Sequence, residues 1–292
     1  MSLQQQIEDY IKTVDADFGI HIKNLRTNEE VNINSDRLFQ MASVFKVPIL
    51  ATLYDLVHQG KIDDTKRIKF SEDDLVPGSG VIQELAPGVE LTIRDIATLM
   101  IIVSDNLATD KILELIGVDT VENKMREVGI ENIHIAHPCW DLLRLVAGVS
   151  ERPQNRQSYN EIIDAFKTNE TDPIIFSEEV KNNLSTPRDM SALVEKIAKN
   201  EFVSQAVCED IRDIMHRQQY KQRIGGLLPP HTEVASKTGS IATMFNDTGI
   251  VYLPDGKGEY VMTAFTAGNQ EGYQGNEPIA KISRMAYDSF VK

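Results

Sequence analysis

A serine and a lysine three positions apart are the first residues of this chain whose types could do chemistry together. Ser43 and Lys46 stand in the run Ala-Ser-Val-Phe-Lys-Val-Pro at 42–48. In a helix this spacing places both side chains on one face, so the amine can reach the hydroxyl. A serine becomes a nucleophile when a base takes its proton, and burial or a second cation can lower the pKa of a lysine enough for that task. The pair alone is not specific, because Ser289 and Lys292 repeat the spacing.

Two further motifs distinguish the pair at 43–46 from its C-terminal repeat. The tripeptide Ser-Asp-Asn occurs once, at 104–106, and Lys-Thr-Gly occurs once, at 237–239. These three motifs in this order are the signature of class A β-lactamases and penicillin-binding proteins. The chain therefore resembles that family of serine hydrolases, from about residue 18 to about residue 270.

The resemblance implies a role for each matching residue. Ser43 would be the nucleophile that carries the acyl group, and Lys46 would be its base, alone or through a water. Ser104 would pass a proton to the leaving nitrogen, while Asn106 would hold Lys46 and the substrate amide. The remaining substrate-binding residues would be Lys237, Thr238, Gly239 and Ser240.

The Lys-Thr-Gly motif lies on a predicted strand, where each residue has a distinct expected use. Gly239 would permit close approach of a ligand to the strand. The N–H groups of Ser240 and Ser43 would form an oxyanion hole. Lys237 would bind a substrate carboxylate with Thr238, and its charge would help to lower the pKa of Lys46.

The group that hydrolyses the acyl-enzyme is not settled by the sequence. Class A members carry Glu-x-x-Leu-Asn on their omega loop, and this chain has no such motif. Asp141 follows an aromatic residue, as the family glutamate commonly does, and Glu170 lies at a family-like distance before the Thr-Pro at 186–187. Either could instead be a solvated surface carboxylate. The missing motif bears on turnover and not on acylation.

Composition and charge restrict the partners of the chain. Hydrophobic residues are 41% and charged residues 25%, which is ordinary for a soluble globular protein. The formal net charge of −14 argues against nucleic acid and anionic membranes as partners. No apolar run approaches the ~20 residues of a membrane span. We expect a monomer that acts on a small-molecule β-lactam or a peptidoglycan-like substrate.

Metal, disulfide and compartment signals are sparse. His134, His137 and Cys139 fit no common zinc spacing and have no evident fourth ligand, so we expect neither a metal nor a cofactor. Cys139 and Cys208 are too few for a disulfide framework. The N-terminus lacks the basic start and apolar core of a signal peptide. The compartment stays open: cytoplasmic as written, extracellular or periplasmic if a signal has been removed.

Hydrophobic periodicity predicts an α+β fold, and the resemblance implies that this fold is of the β-lactamase/transpeptidase type. An antiparallel sheet flanked by helices would come from both termini, with an all-helical domain inserted between them. We place the sheet domain at 1–40 and 217–292, the helical domain at 41–216, and the active site at their interface. A hairpin is expected at 18–33, and strands at 233–240, 248–253 and 260–267, with a turn at Asn246 and Asp247.

The sequence therefore predicts a serine hydrolase that forms an acyl-enzyme on Ser43 and hydrolyses the β-lactam amide. Two alternatives stay open at this point. One is a D-alanyl-D-alanine peptidase or esterase on the same scaffold. The other is a β-lactam sensor that becomes acylated without turnover. The missing Glu-x-x-Leu-Asn favours these alternatives, while the motif spacing favours a lactamase.

Overall fold

A five-stranded antiparallel sheet organises the protein. The computed structural model describes residues 1–151, 153–168, 181–269 and 275–292. The strand order is β2-β1-β10-β9-β8, so neighbouring strands come from both ends of the chain, as expected. The strands are β1 (Asp17–Asn24), β2 (Glu30–Ile33), β8 (Val234–Ile241), β9 (Met244–Tyr252) and β10 (Glu259–Ala267).

Helices cover both faces of the sheet. Because side chains alternate along a strand, Met262 of β10 packs with α1 (Leu3–Ile11) and α10 (Asn276–Phe290). Val261 joins the larger core on the other face. Among the helices of that larger core are α2 (Lys46–His58), α3 (Ile93–Ile102), α8 (Pro187–Ala198) and α9 (Gln205–His216).

Further helices lie between α2 and α8 in the chain. The helices are α4 (Asn106–Ile116), α5 (Val118–Glu127), α6 (Cys139–Val146) and α7 (Arg156–Thr168). Short strands form two small sheets: β3 (Phe39–Gln40), β7 (Leu184–Ser185) and β6 (Ile133–His134) in one, β4 (Arg67–Lys69) and β5 (Glu90–Thr92) in the other. No helix in these described ranges is long and apolar enough to cross a membrane.

Local signals in the sequence predicted several of these boundaries. Thr92 and Asp95 form the expected capping box at the start of α3. Pro187 occupies the first turn of α8, where its missing N–H costs no helical hydrogen bond. The hairpin of β1 and β2 is also present. The division into domains at 1–40, 41–216 and 217–292 stays a prediction. Helices α8 and α9, which this division assigns to the helical domain, pack directly on the sheet.

The turn predicted at Asn246 and Asp247 was wrong. Both residues lie inside β9, and the chain turns earlier, where Ala242 has a left-handed φ of 47°. Tertiary hydrogen bonds explain the difference. The Asn246 side chain donates to the Gln40 carbonyl at 2.8 Å and accepts from the Thr266 N–H at 2.9 Å. These partners satisfy in a strand the polar groups that usually favour a turn.

Candidate active site

Ser43 lies on a single 3₁₀ turn that leads directly into α2. Ala42 begins the turn with a left-handed φ of 46°, which is unfavourable for a residue with a Cβ unless its surroundings hold it. The Ala42 N–H donates to the side chain of Gln40 on β3. Gln40 is itself bound to the sheet through Asn246. These bonds fix Ser43, which is partly exposed, between the helix and the sheet.

Lys46 is fully buried one turn after Ser43, and its amine makes three hydrogen bonds. It donates to the Ser104 carbonyl at 2.7 Å, to Ser104 Oγ at 3.2 Å and to Asn106 Oδ1 at 2.7 Å. The Asn106 amide donates to the Pro77 carbonyl at 2.8 Å, which turns its oxygen towards Lys46. The Ser-Asp-Asn motif therefore forms the polar surroundings of this lysine.

Ser104 stands between the two lysines because of a left-handed backbone, with φ 57°. The following residue, Asp105, supports this conformation. Its buried carboxylate caps α4 through the Ala108 N–H at 2.9 Å and accepts from the N–H groups of Val81 and Ile82 at 2.7 and 3.0 Å. A carboxylate that accepts several backbone N–H groups fixes a loop strongly. Asp105 thus holds the connection between α3 and α4 in place.

Lys237 approaches Ser104 from β8, on the opposite side from Lys46. Its amine donates to Ser104 Oγ at 3.0 Å and to the Thr238 carbonyl at 2.6 Å. The two lysines, far apart in the sequence, therefore share one hydroxyl. Both are fully buried. The Ser104 hydroxyl therefore lies within hydrogen-bond distance of both amines.

Burial lowers the pKa of both lysines. For Lys46 desolvation is the largest cause, opposed by the carboxylates of Asp105 and Asp110. For Lys237 desolvation lowers the pKa strongly, and repulsion from Lys46 lowers it further. Two close amines titrate as a coupled pair, so the first proton leaves this pair more easily than it leaves a solvated lysine. This is the condition that a lysine base requires.

The close passage of β8 past Ser43 depends on Gly239. A Cβ at this position would lie 2.8 Å from the Met41 carbonyl oxygen, 2.8 Å from the Ser43 nitrogen and 2.9 Å from the Val44 nitrogen. These are backbone atoms, which cannot move aside as a flexible side chain can. The sequence indicated close ligand approach at this glycine; the structure shows close approach of the strand to the 3₁₀ turn.

A cavity of about 250 Å³ opens beside Ser43. Its lining combines residues of all three motifs with an apolar wall from α6. The lining residues are Ala42, Ser43, Phe45, Gly78, Ser79, Ser104, Asn106, Cys139, Leu142, Leu143, Tyr220, Thr238, Ser240 and Ile241. The arrangement offers a hydroxyl nucleophile, a hydroxyl proton donor and a polar strand edge around one reacting group.

The comparison with known families agrees with this geometry. A family model described as "Beta-lactamase enzyme family" matches residues 2–290. The chain belongs to this family. It is a β-lactamase-like serine hydrolase with a β-lactamase/transpeptidase-like fold.

Individual relatives resemble the chain over nearly its whole length. β-Lactamase VEB-1 of Pseudomonas aeruginosa is 27% identical, over 99% of this chain and 91% of its own. The solved β-lactamase of Sphaerobacter thermophilus is 26% identical with a TM-score of 0.81, covering 98% of this chain and 96% of its own. A mutant of PBP-A, solved as an acyl-enzyme complex with penicillin G, is 27% identical with a TM-score of 0.80, covering 99% of this chain and 96% of its own.

Arg223 is a residue of this β-lactamase-like site that the sequence analysis missed. Its guanidinium donates to the Gly239 carbonyl at 2.7 Å and to the Ser240 hydroxyl. Burial lowers its pKa to about 10, against the opposing charge of Asp247. Arg223 therefore places a cation behind the strand edge that lines the cavity. No local sequence pattern marks Arg223, because it lies in a turn and its partners Gly239 and Ser240 lie on a strand 16 and 17 positions later.

Asp247 is the buried carboxylate among these cations. It lies on β9 opposite Thr238, and its Oδ2 accepts from the Ile224 N–H at 3.0 Å. Burial raises its pKa to about 6, while the charges of Arg223 and Lys237 oppose the rise. Its negative charge partly offsets the two cations behind the strand edge.

The two candidate carboxylates for deacylation have different positions. Asp141 lies on α6, but it is not among the residues that line the described cavity. Its carboxylate is 38% exposed and lies 3.4 Å from the Arg144 guanidinium. Glu170 lies outside the described residues. The role of either in deacylation stays a prediction.

Replacing Gly239 by alanine should separate β8 from the 3₁₀ turn of Ser43. Because the added Cβ meets backbone atoms at 2.8 Å, the strand must shift, and a displacement of about 1 Å can cost about 100-fold in rate. We expect a loss of that order in the rate of Ser43 acylation by a chromogenic activated ester, followed by stopped-flow absorbance.

Ser236→Ala on the same strand is the matched control. The Ser236 hydroxyl is buried without a hydrogen-bond partner among the described residues, so its removal should change the rate less than about twofold. A Gly239→Ala variant as fast as this control would show that the close strand contact is not needed.

Proposed function

We propose that this protein forms an acyl-enzyme on Ser43 with β-lactams and hydrolyses their amide bond. The supporting observation is the buried network in which Ser104 Oγ lies 3.2 Å from the Lys46 amine and 3.0 Å from the Lys237 amine. This network borders the cavity into which Ser43 opens. It supplies the base and the proton donor that opening an amide requires.

Acylation begins when Ser43 Oγ attacks the lactam carbonyl carbon. Lys46, in its neutral form, takes the hydroxyl proton, and the C–O bond forms as the carbonyl becomes an oxyanion. The N–H groups of Ser43 and Ser240 stabilise that oxyanion. When the C–N bond breaks, Ser104 gives its proton to the leaving nitrogen and regains one from the lysine pair. In net balance Ser43 loses one proton and the leaving nitrogen gains one, while Lys46 and Ser104 return to their starting forms.

The strand edge would hold the carboxylate that β-lactams carry next to the ring. Thr238 and Ser240 line the cavity, and the cations of Lys237 and Arg223 lie behind them. Cations near a bound carboxylate strengthen its hydrogen bonds in a site of low dielectric. We therefore assign recognition of the substrate carboxylate to Thr238 and Ser240, supported by these two cations.

Deacylation requires a group that activates water at the ester of Ser43. We propose Asp141, because α6 also carries Leu142 and Leu143, which line the cavity. The carboxylate must first leave Arg144, from which it is 3.4 Å away. A partly exposed pair of this kind is worth about 0–1 kcal/mol, so the movement costs little.

Incubation with benzylpenicillin tests the nucleophile. Intact mass should increase by one penicilloyl group, and peptide mapping should place it on Ser43. Ser289, which has the same spacing to a lysine but belongs to α10, should carry none. Nitrocefin should be turned over in the same preparation, while a D-alanyl-D-alanine peptide should be cleaved more slowly. An adduct on another residue, or faster cleavage of the peptide, would contradict the proposed function.

Substitution of Asp141 by asparagine tests the deacylation step. Kinetics of the unaltered protein should show a burst equal to the enzyme concentration, followed by a slower steady state, since aspartate is one methylene shorter than glutamate. Asp141→Asn should keep the burst and reduce the steady-state rate by about 100-fold. The adduct should then persist in the mass spectrum.

Two variants serve as controls for that experiment. Asp164→Asn removes a carboxylate that also pairs with a basic residue three positions on, Lys167 at 3.0 Å, and should leave both phases unchanged. Glu170→Gln should do the same. A loss of the steady state in Glu170→Gln alone would transfer the role to Glu170, and no loss in either would favour acylation without turnover.

A further inference from the structure

The start of α6 is held by a side chain from another helix. Pro138 occupies its N-cap position and provides no side-chain hydrogen bond. The first N–H groups of the helix, on Cys139 and Trp140, donate instead to the two carboxylate oxygens of Asp110 on α4, at 2.6 and 2.8 Å. A carboxylate at a helix N-terminus satisfies the unpaired N–H groups and interacts favourably with the helix dipole. Asp110 therefore replaces the missing cap.

The position of Asp110 connects this cap to the active site. Asp110 is four residues after Asn106, so both lie on one face of α4. Asn106 accepts the hydrogen bond of Lys46 at 2.7 Å, while Asp110 holds the helix whose Leu142 and Leu143 line the cavity. One helix face thus fixes the lysine base and the apolar wall relative to each other.

We propose that Asp110 is a positioning residue that fixes α6, and with it the apolar wall beside Ser43, only while its carboxylate is ionised. An ionised carboxylate accepts from both N–H groups, whereas a protonated one keeps a good acceptor on one oxygen alone. Loss of the second bond would release the start of α6. The consequence for kinetics rests on the proposed function, but the consequence for α6 does not.

The electrostatic surroundings place this change at mildly acidic pH. Desolvation raises the pKa of Asp110 to about 6, although the two N–H bonds and the charge of Lys46 oppose the rise. The titratable groups that face it from packed helices are Lys46 on α2 and Cys139 on α6. Burial raises the pKa of the Cys139 thiol, so that group stays neutral. On α4 itself, Lys111 pairs with Asp74 at 2.6 Å.

The raised pKa of Asp110 also distinguishes a local change in α6 from global unfolding of the protein. Because the folded protein binds this proton more readily than the unfolded chain does, Asp110 stabilises the fold as the pH falls from about 6 towards 3.8. This group therefore gives no reason for global unfolding near pH 6. A change seen there in α6 reports the helix itself.

The fluorescence of Trp140 reports on this contact. Trp140 is the single tryptophan of the chain, and its backbone N–H donates to Asp110. Its fluorescence should show one reversible transition near pH 6 in a titration from about pH 8 to about pH 4.5. In Asp110→Asn the transition should be absent, and the spectrum at high pH should resemble the low-pH spectrum of the unaltered protein. Far-UV circular dichroism should stay constant in both.

His137 lies three residues before Trp140 in the chain, and its ring hydrogen-bonds the Lys181 carbonyl at 2.7 Å. His137→Gln is therefore the control and should keep the transition. A transition that survives in Asp110→Asn, or is lost in His137→Gln, would overturn the proposal. So would its absence in the unaltered protein, which tests the proposal even if Asp110→Asn fails to fold.

The kinetic arm uses the rate of Ser43 acylation by benzylpenicillin. Asp110→Asn should slow it about 10- to 100-fold at about pH 7.5. An unchanged rate would show that acylation does not require Asp110 to hold the start of α6. If Ser43 is not acylated in the unaltered protein either, the proposed function fails, while the fluorescence arm still decides the role of Asp110.

Discussion

Two lysine amines buried against one serine hydroxyl dominate the physics of this protein. Lys46 and Lys237 are both fully buried, and both donate to Ser104. Removing two like charges from water together is costly unless protons leave or acceptors compensate. The fold supplies compensation through carbonyl and amide oxygens around the amines. The desolvation that remains lowers the pKa of the lysines, which is the property that the base proposed for Ser43 requires.

The rest of the structure positions the groups that make this burial possible. Asp105 holds Ser104 in its left-handed conformation by accepting three backbone N–H groups. Gln40 fixes the turn before Ser43, and Gly239 lets β8 bring Lys237 close. The contacts of Asp105 with Val81 and Ile82, and of Gly239 with the turn of Ser43, join residues from distant parts of the chain. The active site therefore forms only when the sheet and the helices have packed together.

The sequence predicted those parts of the site that belong to short motifs. Ser43, Lys46, Ser104 and Lys237 could be named because their spacing matches a family, and the structure brings them together. Arg223 and Asp110 could not be named, since a lone arginine in a turn and a lone aspartate in a helix look like surface residues. Their roles arise from hydrogen bonds to distant backbone groups. Distant hydrogen bonds also explain why the prediction of a turn at Asn246 was wrong. Partners from other parts of the fold satisfy the Asn246 side chain inside a strand.

The pH dependence of Ser43 acylation tests most directly whether the buried lysine pair creates the base. Stopped-flow measurement of the acylation rate constant should show a rise with pH whose midpoint lies below 10.5, the ordinary pKa of lysine. Lys46→Met keeps the length of the side chain but removes the amine, so this rise should be absent. A midpoint near 10.5, or a rise that Lys46→Met leaves unchanged, would contradict the account.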